Sequence, residues 1–164
     1  MSRYVPRLVF VLLAVLLAAG CGFQLRGAAN LPPEMARTYI SGLDARDVLF
    51  LELKRQLRAM GVEVVDGPEQ ATAQLRFLER RDTRRVLSVG NQATVREYEL
   101  MTSVRFDARG IGNDFRRDPV TLTATRELSF DETNVHSTAG EEALLREDMQ
   151  RDMVQRVLRR LETH

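Results

Sequence analysis

Two stretches of alternation constrain what this chain can fold into more than any other feature. From Thr94 to Ala108, the residues Tyr98, Leu100, Thr102, Val104, Phe106 and Ala108 fall on one side of an extended chain, and Glu97, Glu99, Met101, Ser103, Arg105 and Asp107 on the other. From Val120 to Phe130 the pattern returns, with Val120, Leu122, Ala124, Leu128 and Phe130 opposed to Thr121, Thr123, Thr125, Glu127 and Ser129. A period of two with one apolar side describes strands that bury one face and wet the other. A third strand precedes them. It starts at Leu75–Leu78, runs through the charged stretch Arg80 to Arg85, and resumes at Val86–Val89. Gly90-Asn91-Gln92 reads as the turn after it, and Arg109–Pro119, with two glycines and a proline, reads as a loop. The three segments form an antiparallel meander whose apolar face needs a cover.

Two helical patterns supply that cover. Leu49, Leu53, Leu57 and Met60 recur at three- and four-residue spacing opposite Lys54, Arg55 and Arg58. Asp44 is the expected N-cap, with acidic Asp47 three residues on, and Gly61 the expected terminator. Thr38–Ser41 before this helix and Val62–Val65 after it are β-prone, so the first part reads as a βαβ unit with parallel strands. Near the C-terminus, Leu145, Met149, Met153, Val157 and Leu161 form a stripe that Leu144, Val154 and Leu158 widen. Ser137 or Thr138 is the expected cap, and Glu141 and Glu142 occupy the first turn. The fold class expected is α+β: a two-layer sandwich, with two helices packed on one face of a mixed, mostly antiparallel sheet.

The N-terminus is an address. Arg3 and Arg7 precede an uncharged run from Leu8 to Ala19, too short to span a bilayer as a permanent helix, and the run ends at Ala18-Ala19-Gly20-Cys21. This resembles a bacterial lipobox, in which the cysteine is diacylated on sulfur, becomes the new N-terminus and is then N-acylated. Residues 1–20 are then a lipoprotein signal peptide, 21–37 a lipidated N-terminus and tether, and 38–164 a single α+β domain. Cys21 is the only cysteine, so no disulfide is expected. Gly22, where an aspartate would retain such a protein in the inner membrane, points to release to the outer membrane. Acyl chains contribute roughly 0.8 kcal/mol per buried CH₂, so three of them hold firmly.

Composition matters here mainly for what it excludes. Beyond residue 20 the chain carries 22 basic and 23 acidic side chains. That near neutrality argues against a general nucleic-acid binder. Catalytic constellations are scarce. His136 and His164 are the only histidines, no nucleophile elbow surrounds Ser137, and Gly110-Ile111-Gly112 lacks the third glycine of a dinucleotide loop. Neither enzyme activity nor a metal or other cofactor is expected. Arginine supplies nearly all the positive charge, with Lys54 the only lysine. Arg80, Arg81, Arg84 and Arg85 cluster in the charged strand, and Arg116-Arg117 lie in the following loop. They read either as a solvated strand end or as guanidiniums gathered for an anionic ligand. The wettable sheet face also has two readings, facing water or lining a polar cavity in a partner.

Several landmarks in order carry a resemblance. Cys21-Gly22-Phe23-Gln24-Leu25-Arg26-Gly27, then Pro32 with Met35, then Leu57-Arg58 with Gly61-Val62-Glu63, then Glu97-Tyr98, and finally Phe130-Asp131 are similar to the landmarks of the LptE family of LPS-assembly lipoproteins. The resemblance spans nearly the whole chain beyond the signal. It implies a two-layer domain seated in the lumen of the outer-membrane β-barrel LptD, helping that barrel assemble and assisting lipopolysaccharide delivery to the outer leaflet. Members of the family are also linked to direct lipopolysaccharide binding, through basic residues at the hairpin turn and just after the last strand. Here Gly90-Asn91-Gln92 has no basic residue, and Val135–Glu142 has only His136. Arg84, Arg85 and Arg96 are the expected substitutes. The alternative is a stand-alone envelope lipoprotein that binds a lipid or scaffolds an envelope complex.

Overall fold

The computed structural model describes residues 31–89, 95–129 and 135–162. Five strands form one sheet, β1 (Arg37–Ser41), β2 (Glu63–Val65), β3 (Ala73–Val89), β4 (Val95–Gly110) and β5 (Arg116–Ser129), in the order β2-β1-β3-β4-β5. β1 pairs in parallel with both β2 and β3, whereas β3, β4 and β5 are antiparallel. Helix α1 (Val48–Ala59) joins β1 to β2, and α2 (Val135–Leu161) closes the chain. The α+β expectation holds, with its parallel βαβ start and its meander. Within the segment 21–37, Met35 in the 3₁₀ turn Pro33–Ala36 is fully buried.

α1 begins three residues later than expected. Asp44 accepts from the Arg46 backbone N–H (2.7 Å) in a preceding turn, and Asp47 is the N-cap, its carboxylate accepting from Leu49 N–H (2.8 Å). At the other end Gly61, at φ +85°, gives a Schellman stop: Val62 N–H reaches Leu57 O and Gly61 N–H reaches Arg58 O, both at 3.0 Å. Leu49, Leu53 and Leu57 are buried as the spacing predicts.

Arg80 to Arg85 do not interrupt β3, which is one strand of 17 residues. Its register shifts between Phe77 and Glu79, so Leu78 is the extra residue of a β-bulge. Gly42 sits beside this point, and a Cβ there would lie 1.9 Å from the Phe77 carbonyl oxygen, which only glycine avoids. The loop expected over 109–119 shrinks to Ile111–Phe115, because β5 already starts at Arg116. Asn113 closes it by accepting from Phe115 N–H at 3.0 Å. Pro119 is tolerated inside β5 because this is the edge strand and the register slips there, between Phe106 and Ala108 of β4.

α2 starts at Val135, upstream of both expected caps, so Ser137 and Thr138 lie inside the helix. Met149, Met153, Val154, Val157, Leu158 and Leu161 are buried against Leu100, Val104, Phe106 and Leu128 of the meander. Leu144, expected on the stripe, is instead 69% exposed.

Candidate functional site

Strand periodicity and the Leu78 bulge together decide where each arginine points. Beyond the bulge Arg80, Asp82, Arg84 and Val86 pair with Val104, Thr102, Leu100 and Tyr98, so they lie on the helix-covered face. Glu79, Arg81, Thr83 and Arg85 pair with Arg105, Ser103, Met101 and Glu99 and lie on the open face. The cluster is therefore split between two surfaces. A bulge displaces every later side chain by one face, and charge patterning alone does not reveal where it sits.

On the covered face the arginines tie layers together. Arg80 bonds to the α1 cap Asp47 and, at 3.0 Å, to Asp82, whose other oxygen accepts from the buried Thr102 hydroxyl at 2.6 Å. Burial alone would raise the Asp47 carboxyl, but the Arg80 hydrogen bond and the Leu49 N–H outweigh it and hold it below the usual carboxylate range. Arg84 reaches Glu142 of α2 at 2.9 Å and lies over the Tyr98 ring at 4.5 Å. Across the sheet, Arg126 of β5 pairs with Asp148 and Asp152 of the same helix. Because Arg84 and Arg126 both oppose Leu100 in β4, α2 lies between two arginine clamps, one from each outer strand of the meander. Burial favours the neutral form of Glu142, yet hydrogen bonds from Arg146 and Arg84 leave it lowered.

The open face is a polar field arranged in rows. Across β3, β4 and β5 it reads Glu79–Arg105–Thr121, Arg81–Ser103–Thr123, Thr83–Met101–Thr125, Arg85–Glu99–Glu127 and Ser88–Glu97–Ser129. Arg85 pairs with Glu99 at 2.6 Å while its side chain stays 71% exposed. At the other end Asp107 is 1% exposed, gripped by Arg76 through two bonds of 2.7 and 2.5 Å, with Arg109 at 3.5 Å. The Arg76 hydrogen bond keeps the Asp107 carboxyl below its ordinary value despite burial.

Of the residues singled out from sequence, Arg84 and Arg85 are adjacent in the chain but project from opposite faces. Arg96 belongs to β4, and its side chain lies outside the described residues, as do Cys21, His164 and the His136 side chain. Sequence reading missed the buried Arg76–Asp107 pair. Its one signal was an aspartate opposite an arginine-rich strand on a face otherwise dominated by Thr, Glu and Arg. Among the described residues no group of three or more His, Cys, Asp or Glu is placed to hold a metal, and no helix is long and apolar enough to cross a membrane.

Residues 35–161 match the family model described as LptE, lipopolysaccharide-assembly. The LPS-assembly lipoprotein LptE of Yersinia enterocolitica is 28% identical over 150 residues, covering 91% of this chain and 72% of the relative. The protein of the same name from Pectobacterium atrosepticum is 28% identical over 152 residues, covering 92% and 82%. Among solved structures, the solution structure of the uncharacterized lipoprotein B of Nitrosomonas europaea superposes with a TM-score of 0.66 at 31% identity, covering 84% of this chain and 88% of that one. The match takes in both helices and all five strands, so the chain belongs to the LptE family of lipopolysaccharide-assembly proteins.

Proposed function

We propose that this chain is a lipid-anchored outer-membrane protein that plugs and helps assemble an LptD-type β-barrel and assists lipopolysaccharide delivery to the outer leaflet, without catalysing a reaction. Family membership supports the assembly role, and the observation that carries the barrel-partner reading is the open face. Both helices pack on the other side of the sheet, leaving rows of Thr, Ser, Arg and Glu uncovered on β3, β4 and β5. An outer-membrane barrel has a polar interior, and such a face suits it better than a lipid or an apolar groove would. Cys21 is the proposed lipid attachment residue, and no nucleic acid is a proposed partner.

Arg84, Arg85 and Arg96 are the proposed lipopolysaccharide contacts. Of these Arg85 is best placed, since its exposed guanidinium can exchange Glu99 for a phosphate without leaving the open face. Arg84 would have to release Glu142 and with it one clamp on α2. Photo-crosslinkers at Ser103 and Thr123 test the main reading in cells. They should capture a large β-barrel protein. Capture of none, alongside capture from helix positions only, would overturn the barrel-facing assignment.

A further inference from the structure

Away from the arginine-rich strand, a cleft of about 480 Å³ opens where the start of β5 parts from the last turn of α2. The register slip at Asp118–Pro119 lies at its edge, and both residues line it. Its floor is apolar, made by Phe106 and Val120. Its rim carries Arg117 from β5 and Arg159 and Arg160 from α2. The carboxylates nearby are Asp118, which is already paired with Arg116 at 3.2 Å, and Glu162.

Among the described residues none of the three rim arginines forms a salt bridge, although most arginines elsewhere in the domain do. Arg159 and Arg160 suit the negative end of a helix on electrostatic grounds alone. Arg117 has no such explanation. It comes from another element, opposes Ala108 on the helix-covered face, and lies over the Phe115 ring at 5.4 Å. Stacking on an aromatic ring holds a guanidinium in place while leaving its N–H edge free to donate.

We propose that this cleft binds the phosphomonoester head of an amphiphile, with Arg117 and Arg160 donating to the phosphate and the start of the hydrocarbon body resting on Phe106 and Val120. The volume is in the range of small-ligand pockets, and the pairing of a few converging polar groups with an apolar floor is what such ligands require. The site is separate from Arg84, Arg85 and Arg96. It goes beyond the barrel-partner reading, and co-purification of a barrel is independent of it.

The test is calorimetric titration of the full lipidated protein in nonionic detergent with a short-chain phosphatidic acid. Two further arms use the matching diacylglycerol and inorganic phosphate alone. Phosphatidic acid should bind, diacylglycerol should not, and inorganic phosphate should bind more weakly. Arg117→Gln with Arg160→Gln should weaken phosphatidic acid by at least about tenfold, the loss expected for charge-assisted hydrogen bonds to a phosphate. Arg160→Gln alone, at an exposed helix position, should weaken it measurably with an unchanged thermal melt, and Arg58→Gln on α1 should have no effect. Parent-like affinity in the double variant, equal binding of diacylglycerol, equal binding of free phosphate, or no binding of phosphatidic acid would each overturn the proposal.

Discussion

The two halves of β3 obey different rules. From Ala73 to Phe77 the strand lies beside β1 for most of its length and sends Ala73, Leu75 and Phe77 into the core. Past Leu78 its β1-side edge has no strand partner among the described residues, and its covered face carries Arg80, Asp82 and Arg84. On the helix-covered face the first half is held by exclusion of water, the second by ion pairs to Asp47 and Glu142. Unpaired strand edges invite pairing with other chains, and inward-pointing charges together with a bulge are a recognised way to block that. β5, the opposite edge, uses the same devices: a bulge with Pro119, inward Arg126, and Arg156 of α2 donating to the Thr123 carbonyl at 3.2 Å. The arginine run therefore has a structural role whether or not it also meets a ligand.

Substitutions on the two faces of the first half set the scale of each contribution there. Phe106→Ala empties the centre of the apolar half, where Phe106 touches Phe77 (ring centroids 5.8 Å apart), and should cost about 3–5 kcal/mol in chemical denaturation. A loss below about 1 kcal/mol would show that the core is not organised there. Arg76→Ala leaves the Asp107 carboxylate buried without its main partner and should cost about 2–3 kcal/mol. Arg76→Lys, lacking the bidentate fork, should recover only part of that loss.

Acid should act on both halves at once. The Arg76 hydrogen bond depresses Asp107 and the Arg156 hydrogen bond depresses Asp152, while Asp47 and Glu142 remain depressed against the opposing effect of burial. A carboxylate with a lowered folded pKa contributes stability that is complete above its unfolded value, near about pH 4, and is lost as pH falls through the lower folded value. Denaturation midpoints should thus hold from neutrality to about pH 5 and drop steeply below about pH 4. Replacing Asp107 and Asp152 with asparagine should flatten that drop while lowering stability at neutral pH.

Much of the fold was legible because burial imposes a period. The alternation in β4 and β5, the Leu49-Leu53-Leu57 stripe and the four-residue spacing along α2 each report one face against the core. What escaped the sequence depends on single-residue events with no periodic trace. The Leu78 bulge decided that Arg84 faces the helices and Arg85 the open side, the turn at Asp44 moved the α1 cap to Asp47, and the slip at Asp118–Pro119 carried β5 into what read as loop. Burial of Asp107 was hidden too, since its partner Arg76 lies 31 residues away.

The smallest effect expected is on stability at the exposed clamp. Arg84→Ala should cost only about 0.2–1 kcal/mol, because its side chain is 49% exposed and water screens the pair with Glu142. Valine at both Arg80 and Arg84 sharpens the contrast between the halves. By removing the inward charges it should raise the apparent mass in light scattering above that of the parent protein, and a double variant that matches the parent would refute the edge-blocking role.

The proposed role of this domain is that of partner to a transport barrel. Affinity purification of the lipidated chain from outer membrane in mild detergent tests it most directly. A large β-barrel of the LptD type should stay bound through washing. Recovery of the lipoprotein alone, folded and without a barrel, would contradict it.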